Sequence, residues 1–489
     1  MDTVRFTLNG RPVEVRGLPG TTTLLRWLRD HAGLMGTKEA CAEGDCGACT
    51  VAILEERPGA QAAWRAVDSC LLFLPMLQGR EVVTVEGLRA PGAPEGEGYH
   101  PAQEAIVGTR ASQCGFYTPG VVMNLFEACY RDDLSAADGD ALDEQVAGNL
   151  CRCTGYRPIR DAAQQVAGTR PDDRFAQARR DWVPGPATLD LQAAGQRYLQ
   201  PGCLAELFAA RAAHPGAVLV AGGTDVALEV TQRHRHFPVV IGLEAIEELR
   251  AFRRREDGWS LGAGLSHTRL RELLAGEIPA LEKMWRFFGA RQIRNRGTLG
   301  GNLCTASPVG DMAPVLMALG AIAVVVGPAG ERAVPVADFF PAYRRTALQA
   351  DEILLRVEIP RPAPGAFCSA YKVSKRRELD ISAVSAGMSV VLDGGGGVAS
   401  LRLAYGGVAA TPMRALKTEA ALLGRPWTEA EVEVAAAALE EDFSPISDVR
   451  GSERYRRLVA RNLLRGFFLE SLRPDRDAPA ARPVGPVNV

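Results

Sequence analysis

Apolar and polar residues alternate from the start of the chain: Val4, Phe6 and Leu8, then Asn9-Gly10, then Val13 and Val15. Two strands separated by Asn-Gly read as a hairpin, because both turn residues accept positive φ. Residues 22–30 change to helical spacing, with Leu24, Leu25 and Leu28 behind a capping threonine, and 50–54 return to a strand. The Gly/Pro-rich stretch 87–98 sustains neither element and marks a boundary. From Pro101 to about Gly168 the period is helical: Val121, Leu125 and Cys129 recur every four residues after a first-turn proline, Pro119.

Residues 171–186 are polar and contain DWVPGP, which reads as a linker over 169–187. A longer domain follows, alternating strands (218–221, 239–243, 321–326) with helices (204–213, 269–275) and ending near the Pro-rich break at 360–365. The remainder has strands around 386–392 and 401–406, joined by a glycine run, and then charged amphipathic helices to about Leu472. The Pro/Arg/Asp-rich tail 473–489 is expected to be disordered. The expected domains are therefore 1–86, 99–168, 188–364 and 365–472.

A chain of 489 residues is long enough for several domains, and 47% hydrophobic with 23% charged residues excludes a disordered or fibrous class. A net charge of -2 offers no basic field for nucleic acid or anionic lipid, so neither is an expected partner. The longest charge-free apolar stretch, 312–326, is fifteen residues and contains Pro314 and Gly320; it reads as a buried helix and a strand, not a membrane span. The opening MDTVRFTLNG lacks a basic-then-apolar signal pattern, which makes the cytoplasm the expected compartment. In a reducing compartment, clustered thiols among the eleven cysteines favour metal over disulfides.

Cys41, Cys46 and Cys49 stand in CAEGDCGAC, a C-x4-C-x2-C spacing, with Cys70 beyond. This is the plant-type [2Fe-2S] pattern, in which thiolates converge on two irons and Gly44 and Gly47 let backbone amides turn toward sulfur. The alternatives are free buried thiols or a zinc site; zinc sites usually repeat a C-x2-C pair, and one such pair is present. A second set is Cys114 in SQCGFYTPG with Cys151 and Cys153 in GNLCRCTGYRP. Cys129, Cys203, Cys304 and Cys368 read as small buried hydrophobes, and His234 and His236 as solvated.

The second set, following a plant-type domain, resembles the four-helix iron–sulfur domain of the xanthine dehydrogenase and aldehyde oxidase family, the molybdenum hydroxylases. The family motif reads QCGFCTPG, and Tyr117 occupies its second cysteine position. Cys129, twelve residues along a helix and so about 18 Å away, has no evident route back to substitute. Two outcomes stay open: a cluster retained with an altered or solvent ligand, or a cluster that is labile or absent.

Residues 218–226, VLVAGGTDV, run from an apolar strand into a Gly-Gly turn of the kind that admits pyrophosphate to the backbone. Residues 288–311, FGARQIRNRGTLGGNLCTASPVGD, are rich in small polar residues and show no helical period. Loops of that length are uncommon unless functional. Both resemble the vanillyl-alcohol-oxidase/PCMH-type FAD domain of the same family. The resemblance implies flavin contacts at Leu219, Val220, Ala221, Gly222, Gly223, Thr224, Asp225 and Val226, and at Phe288, Gly297, Thr298, Gly301, Asn302, Thr305 and Asp311. It also implies Leu354 and Lys372 near the isoalloxazine and Tyr343 at the face where NAD docks.

The implied fold is multidomain α+β: a β-grasp ferredoxin domain, a four-helix [2Fe-2S] domain, the FAD domain and a CO-dehydrogenase-flavoprotein-like C-terminal domain. This order is similar to the small subunit of bacterial xanthine dehydrogenases. It implies a molybdopterin-binding large subunit as partner in a hetero-oligomer such as a heterotetramer, with [2Fe-2S] clusters, FAD and NAD as the redox chain of purine oxidation. No side chain of this chain is then expected to act as general base or nucleophile. The alternatives are a related aldehyde or N-heterocycle hydroxylase, or a flavin diaphorase or binding subunit with an impaired second cluster.

Overall fold

The computed structural model describes residues 3–57, 60–185 and 187–473. Thr3–Leu8 and Arg11–Arg16 pair antiparallel in a register that sets Leu8 opposite Arg11, so Asn9 (φ 52°) and Gly10 (φ 77°) form the two-residue turn. They are one edge of a five-stranded mixed sheet ordered Arg11–Arg16, Thr3–Leu8, Glu81–Val83, Thr50–Glu55, Ala63–Asp68, with the parallel pairing between Thr3–Leu8 and Glu81–Val83. Helix Leu24–Asp30, capped by Thr23, lays Leu24, Leu25, Trp27 and Leu28 into the core, the β-grasp arrangement.

Four helices follow, Pro101–Gly108, Thr118–Cys129, Gly139–Val146 and Arg157–Val166, each opened by a proline or a capping aspartate. Thr118–Cys129 is the central one, with Gly120 through Cys129 all buried. The polar segment read as a linker contains a fifth helix, Arg174–Asp181. Asp173 accepts hydrogen bonds from the Phe175 and Ala176 amides, and Phe175 is buried among Trp64, His100, Phe126 and Tyr130. Burying one such ring is worth about 2–3 kcal/mol. That outweighs the polarity on which the linker expectation rests.

The chain divides into two bodies, one running to Glu247 with Ala290–Gly297 added, the other comprising Glu248–Gly289 and Thr298 onward. The first closes with a four-stranded sheet ordered Leu189–Ala193, Gln196–Gln200, Val239–Gly242, Val218–Val220. Leu189, Leu191, Tyr198, Val220, Ala227, Phe237 and Val240 from this region share one apolar core with the β-grasp residues.

The second body contains an antiparallel sheet ordered Phe252–Arg255, Gly258–Gly262, Ile353–Pro360, Ile322–Gly327, Gly330–Pro335. A second antiparallel sheet, ordered Phe367–Val373, Val384–Leu392, Val398–Gly406, Met413–Arg414, carries the C-terminal helices, of which Glu453–Ser471 is the longest. Residues 312–326 form helix Met312–Ala318 and strand Ile322–Gly327, and Gly387 admits the helix backbone at Pro314 and Val315. The fold is thus multidomain α+β. The predicted tail lies, from residue 474, outside the described residues. No helix among them is long and apolar enough to cross a membrane.

Candidate iron–sulfur and flavin sites

Residues 31–49, between the first helix and Thr50–Glu55, form a loop without a helix or strand. Gly44 (φ 76°) and Gly47 (φ 68°) take left-handed backbone there, and the amides of Glu43 and Asp45 point at Cys41 Sγ at 3.5 and 3.4 Å. Cys46, Cys49 and Cys70 are buried, the last on the single turn Ser69–Leu71. The thiols stand in two hydrogen-bonded pairs, Cys41 with Cys46 and Cys49 with Cys70. The Cys46 hydrogen bond pulls the Cys41 thiol down to about 6. Cys49 is pushed well up by its Cys70 partner and by burial. Beside it, Asp68 accepts from Cys49 Sγ at 3.6 Å, and burial raises its carboxyl to about 7. These four thiols are of the ligand type that holds a two-iron cluster, and they stand as two pairs: no three metal-ligating side chains among the described residues are placed to hold one ion.

The helical domain docks on this loop through small residues. A Cβ on Gly120 would meet Gly47 O, one on Gly47 would meet Gly148 O, and the Leu150 amide donates to Cys46 O at 3.0 Å. Around that contact lies a buried polar network that the sequence reading missed. Asn149 Nδ2 donates to Gly47 O at 3.0 Å, while Asn149 Oδ1 accepts from Asn124 at 2.6 Å and from Gln292 at 3.1 Å. Glu127 pairs with Arg291 at 3.0 Å and accepts from Asn295 at 3.2 Å. The signal available in the sequence was Asn124 and Glu127 inside the otherwise apolar run VVMNLFEAC.

The second thiol set is more open. Cys151 is buried, whereas Cys114 and Cys153 are exposed and hydrogen-bonded to each other. Thr154 Oγ1 donates to Cys151 Sγ at 3.3 Å, and Tyr156, in left-handed backbone (φ 69°), accepts from the Cys151 amide at 3.2 Å. Tyr117 sits half-buried at the start of Thr118–Cys129, edge-on to Phe116. Burial and then the neighbouring Cys46, Cys41 and Cys114 push its phenol above the ordinary value. Cys129 lies buried at the far end of that helix. Of the other thiols read as buried, Cys203 and Cys368 are half-buried and Cys304 is exposed, since it ends a six-residue helix whose buried positions are Leu299, Gly300 and Leu303.

The positions expected to meet flavin fall in both bodies. In the first, Leu219 and Val220 end strand Val218–Val220, Ala221 to Asp225 form the turn, and Val226 opens helix Val226–Thr231. Gly222 and Gly223 are required by the protein itself: a Cβ on Gly222 would lie 1.7 Å from Arg296 O, and one on Gly223 (φ 81°) 2.7 Å from Leu71 O. Arg296, preceding Gly297, is held by Glu244 and, at 3.6 Å, by Glu55. The Gly222–Gly223 turn therefore abuts the residue that follows Cys70. Ile293 lies against Gly44, and Gln232 donates to Cys41 O at 2.8 Å.

In the second body, Thr298 caps helix Leu299–Cys304 by accepting from the Gly301 amide at 3.0 Å, and Thr305 donates back to Gly301 O at 2.9 Å. Segment 288–311 thus holds two short helices, the other being Arg291–Arg294, each too short to give a period. Phe288 stacks at a tilt on His267, 4.4 Å between centroids. Leu354 is buried on Ile353–Pro360, and Tyr343 is exposed. Asp311 accepts from Lys372 Nζ at 2.8 Å. Two observations suit a polar ring system here. Asn302 Oδ1 is buried without a protein partner, and the buried Lys372 ammonium meets one acceptor among the described residues, leaving donors to spare.

Family profiles match nearly end to end: "2Fe-2S iron-sulfur cluster binding domain" over 6–72, "[2Fe-2S] binding domain" over 84–164, "FAD binding domain in molybdopterin dehydrogenase" over 192–362 and "CO dehydrogenase flavoprotein C-terminal domain" over 369–471. Xanthine dehydrogenase of Emericella nidulans is 32% identical over 96% of this chain and 39% of its own length, and xanthine dehydrogenase/oxidase of Gallus gallus 33% over 98% and 41%. Among solved structures, carbon monoxide dehydrogenase from Hydrogenophaga pseudoflava matches at TM-score 0.53 and 28% identity, covering 56% of this chain and 96% of that one. Quinoline 2-oxidoreductase from Pseudomonas putida 86 matches at TM-score 0.53 and 29%, covering 57% and 96%.

Fold and sites together define an iron–sulfur flavoprotein with two [2Fe-2S]-type domains and an FAD domain. The chain belongs to the xanthine dehydrogenase/molybdenum hydroxylase family, as its iron–sulfur/FAD part. It spans about two fifths of the length of the curated relatives it matches.

Proposed function

We propose that this chain is the electron-transfer and NAD-reducing subunit of a xanthine dehydrogenase, working with a molybdopterin-binding partner that oxidises hypoxanthine or xanthine. The observation that carries the reading is the abutment of cluster loop and flavin turn: Leu71 O, next to Cys70, stands against Gly223. In this reading Cys41, Cys46, Cys49 and Cys70 hold the plant-type cluster, and Cys114, Cys151 and Cys153 contribute to a second site in the helical domain. Leu219 to Val226, Gly297, Thr298, Gly301, Asn302, Thr305 and Asp311 cradle FAD, with Phe288, Leu354 and Lys372 beside it. Tyr343, exposed, faces NAD. When bound, the clusters supply one-electron transfer and the flavin the change to hydride chemistry.

The residues of this chain bind, orient and shield. The Glu43 and Asp45 amides stabilise charge on the Cys41 sulfur. Ile293 packs against Gly44 of the cluster loop, and Gly223 stands against the Leu71 carbonyl. A cytoplasmic hetero-oligomer, such as a heterotetramer, is the assembly this reading implies. Xanthine-dependent NADH formation by the assembled complex, with iron and flavin counted per chain, tests it; flavin without iron, or no NADH, rejects it.

Tyr117 favours a second reading, in which the helical-domain cluster is labile or absent and the chain acts as a flavin diaphorase or binding subunit. Iron near two per chain with intact NADH-to-dye activity marks that case. A related aldehyde or N-heterocycle hydroxylase is distinguished by the substrate that drives NADH formation.

A further inference from the structure

The two carboxylate oxygens of Asp311 serve different partners. Oδ2 accepts from Lys372 Nζ at 2.8 Å, and Oδ1 accepts from Ser382 Oγ at 2.6 Å. All three side chains are withdrawn from solvent, Ser382 to 1% exposure and the Lys372 side chain to 4%. Lys372 lies near the end of Phe367–Val373, and Ser382 lies two residues before Val384–Leu392, which pairs with it antiparallel. The carboxylate therefore ties together the two sides of one hairpin at the end where the connecting loop joins its strands.

A buried ammonium–carboxylate pair is stable only when its geometry is fixed and its remaining hydrogen-bonding positions are used. With Lys372 as its one partner, the Asp311 carboxylate is free to turn about its Cβ–Cγ bond. The Ser382 hydroxyl gives it a second contact on the opposite oxygen and removes that freedom. It also disperses the carboxylate charge, which weakens its hold on the ammonium. Lys372 has three donors and one protein acceptor among the described residues. What the arrangement presents is an oriented, incompletely neutralised cation.

We infer that Ser382 is a positioning residue for the flavin: through Asp311 it sets the direction and the residual charge of the Lys372 ammonium against the ring. This rests on the proposed flavin contacts of Asp311 and Lys372. Without the hydroxyl, the carboxylate draws the ammonium closer, the field at the ring becomes less positive, and electrons added to the ring are held less well.

The test uses the full chain loaded with FAD, in four forms: wild type, Ser382→Ala, Ser382→Thr and Lys372→Met. Ser382→Ala should keep one FAD per chain, shift the visible flavin bands and lower the flavin reduction potential in potentiometric titration. Ser382→Thr, which restores a hydroxyl, should return both readings toward wild type, and Lys372→Met should lower the potential further than Ser382→Ala. Unchanged potential and bands in Ser382→Ala, with a clear shift in Lys372→Met, overturn the role of Ser382 and leave the flavin contact standing. No shift in either overturns the flavin contact itself. Loss of FAD from Ser382→Ala, or a threonine variant that behaves as the alanine one, overturns the inference as well.

Discussion

The carbonyl oxygen of Arg296 occupies the space that a Cβ on Gly222 would need, 1.7 Å from its ideal position. Gly222→Ala must therefore push the Arg296–Gly297 backbone away, at a cost of about 1–3 kcal/mol for an overpacked site. The expected outcome is a lower melting temperature together with reduced FAD content, both measurable on the purified chain. Flavin loss at an unchanged melting temperature would show that the glycine serves pyrophosphate approach alone.

Cys46→Ser should remove one visible-absorbing iron–sulfur centre and leave FAD in place. The cluster loop and the Ser69–Leu71 turn meet Ile293, Gln232 and Gly223 through Gly44, the Cys41 carbonyl and the Leu71 carbonyl, none of which is the Cys46 thiol. Iron and FAD assays on the same sample check this; an unchanged iron count removes Cys46 from the ligand set.

Tyr117→Cys places a fourth thiol where the family motif has one. The variant should gain two irons per chain and speed xanthine-to-NAD transfer in the assembled complex, with NADH-to-dye activity unchanged. A wild-type protein already holding four irons and turning over rapidly would mean that the site is completed without a fourth cysteine.

His100 gives a pH dependence with a definite sign. Its Nδ1 accepts from the Ala102 amide at 3.1 Å and its Nε2 meets Tyr130 OH at 2.8 Å, with Asp173 beyond that hydroxyl. Burial lowers the imidazole to about 4, against an ordinary value of 6.5. Between those values the unfolded chain binds a proton that the folded chain does not, so the stability present above pH 6.5 is lost as the pH falls toward 4. The loss is on the order of 3 kcal/mol. His100→Asn, which keeps a capping oxygen for Ala102, should melt with a flatter dependence across that interval.

Legibility in the sequence followed how locally each feature is determined. Asn9-Gly10, a capping threonine, Pro119 and the C-x4-C-x2-C loop depend on neighbours in the chain, and the structure has the corresponding hairpin, helices and curled loop, with Thr23 as the cap. The helix Arg174–Asp181 depends on a pocket built by Trp64, Phe126 and Tyr130, all far away in sequence, so composition alone pointed to a linker. Gly222 was legible as a glycine with a purpose, but its partner, Arg296 O, lies 74 residues away. The Asn124, Asn149 and Gln292 network was hidden for the same reason: each residue is unremarkable until three segments converge.

The apolar core shared by the β-grasp residues and the sheet of Leu189, Leu191, Tyr198 and Val240 bears on how the polypeptide can be divided. Cleaving the backbone near residue 187 would sever one covalent connection and leave that core whole. The two fragments should stay together through a melting experiment's native baseline and co-purify without a linking peptide bond. Expressed separately, each would show solvent a torn oily face, and the fragment carrying Cys41 to Cys70 would be prone to precipitate until its counterpart is supplied.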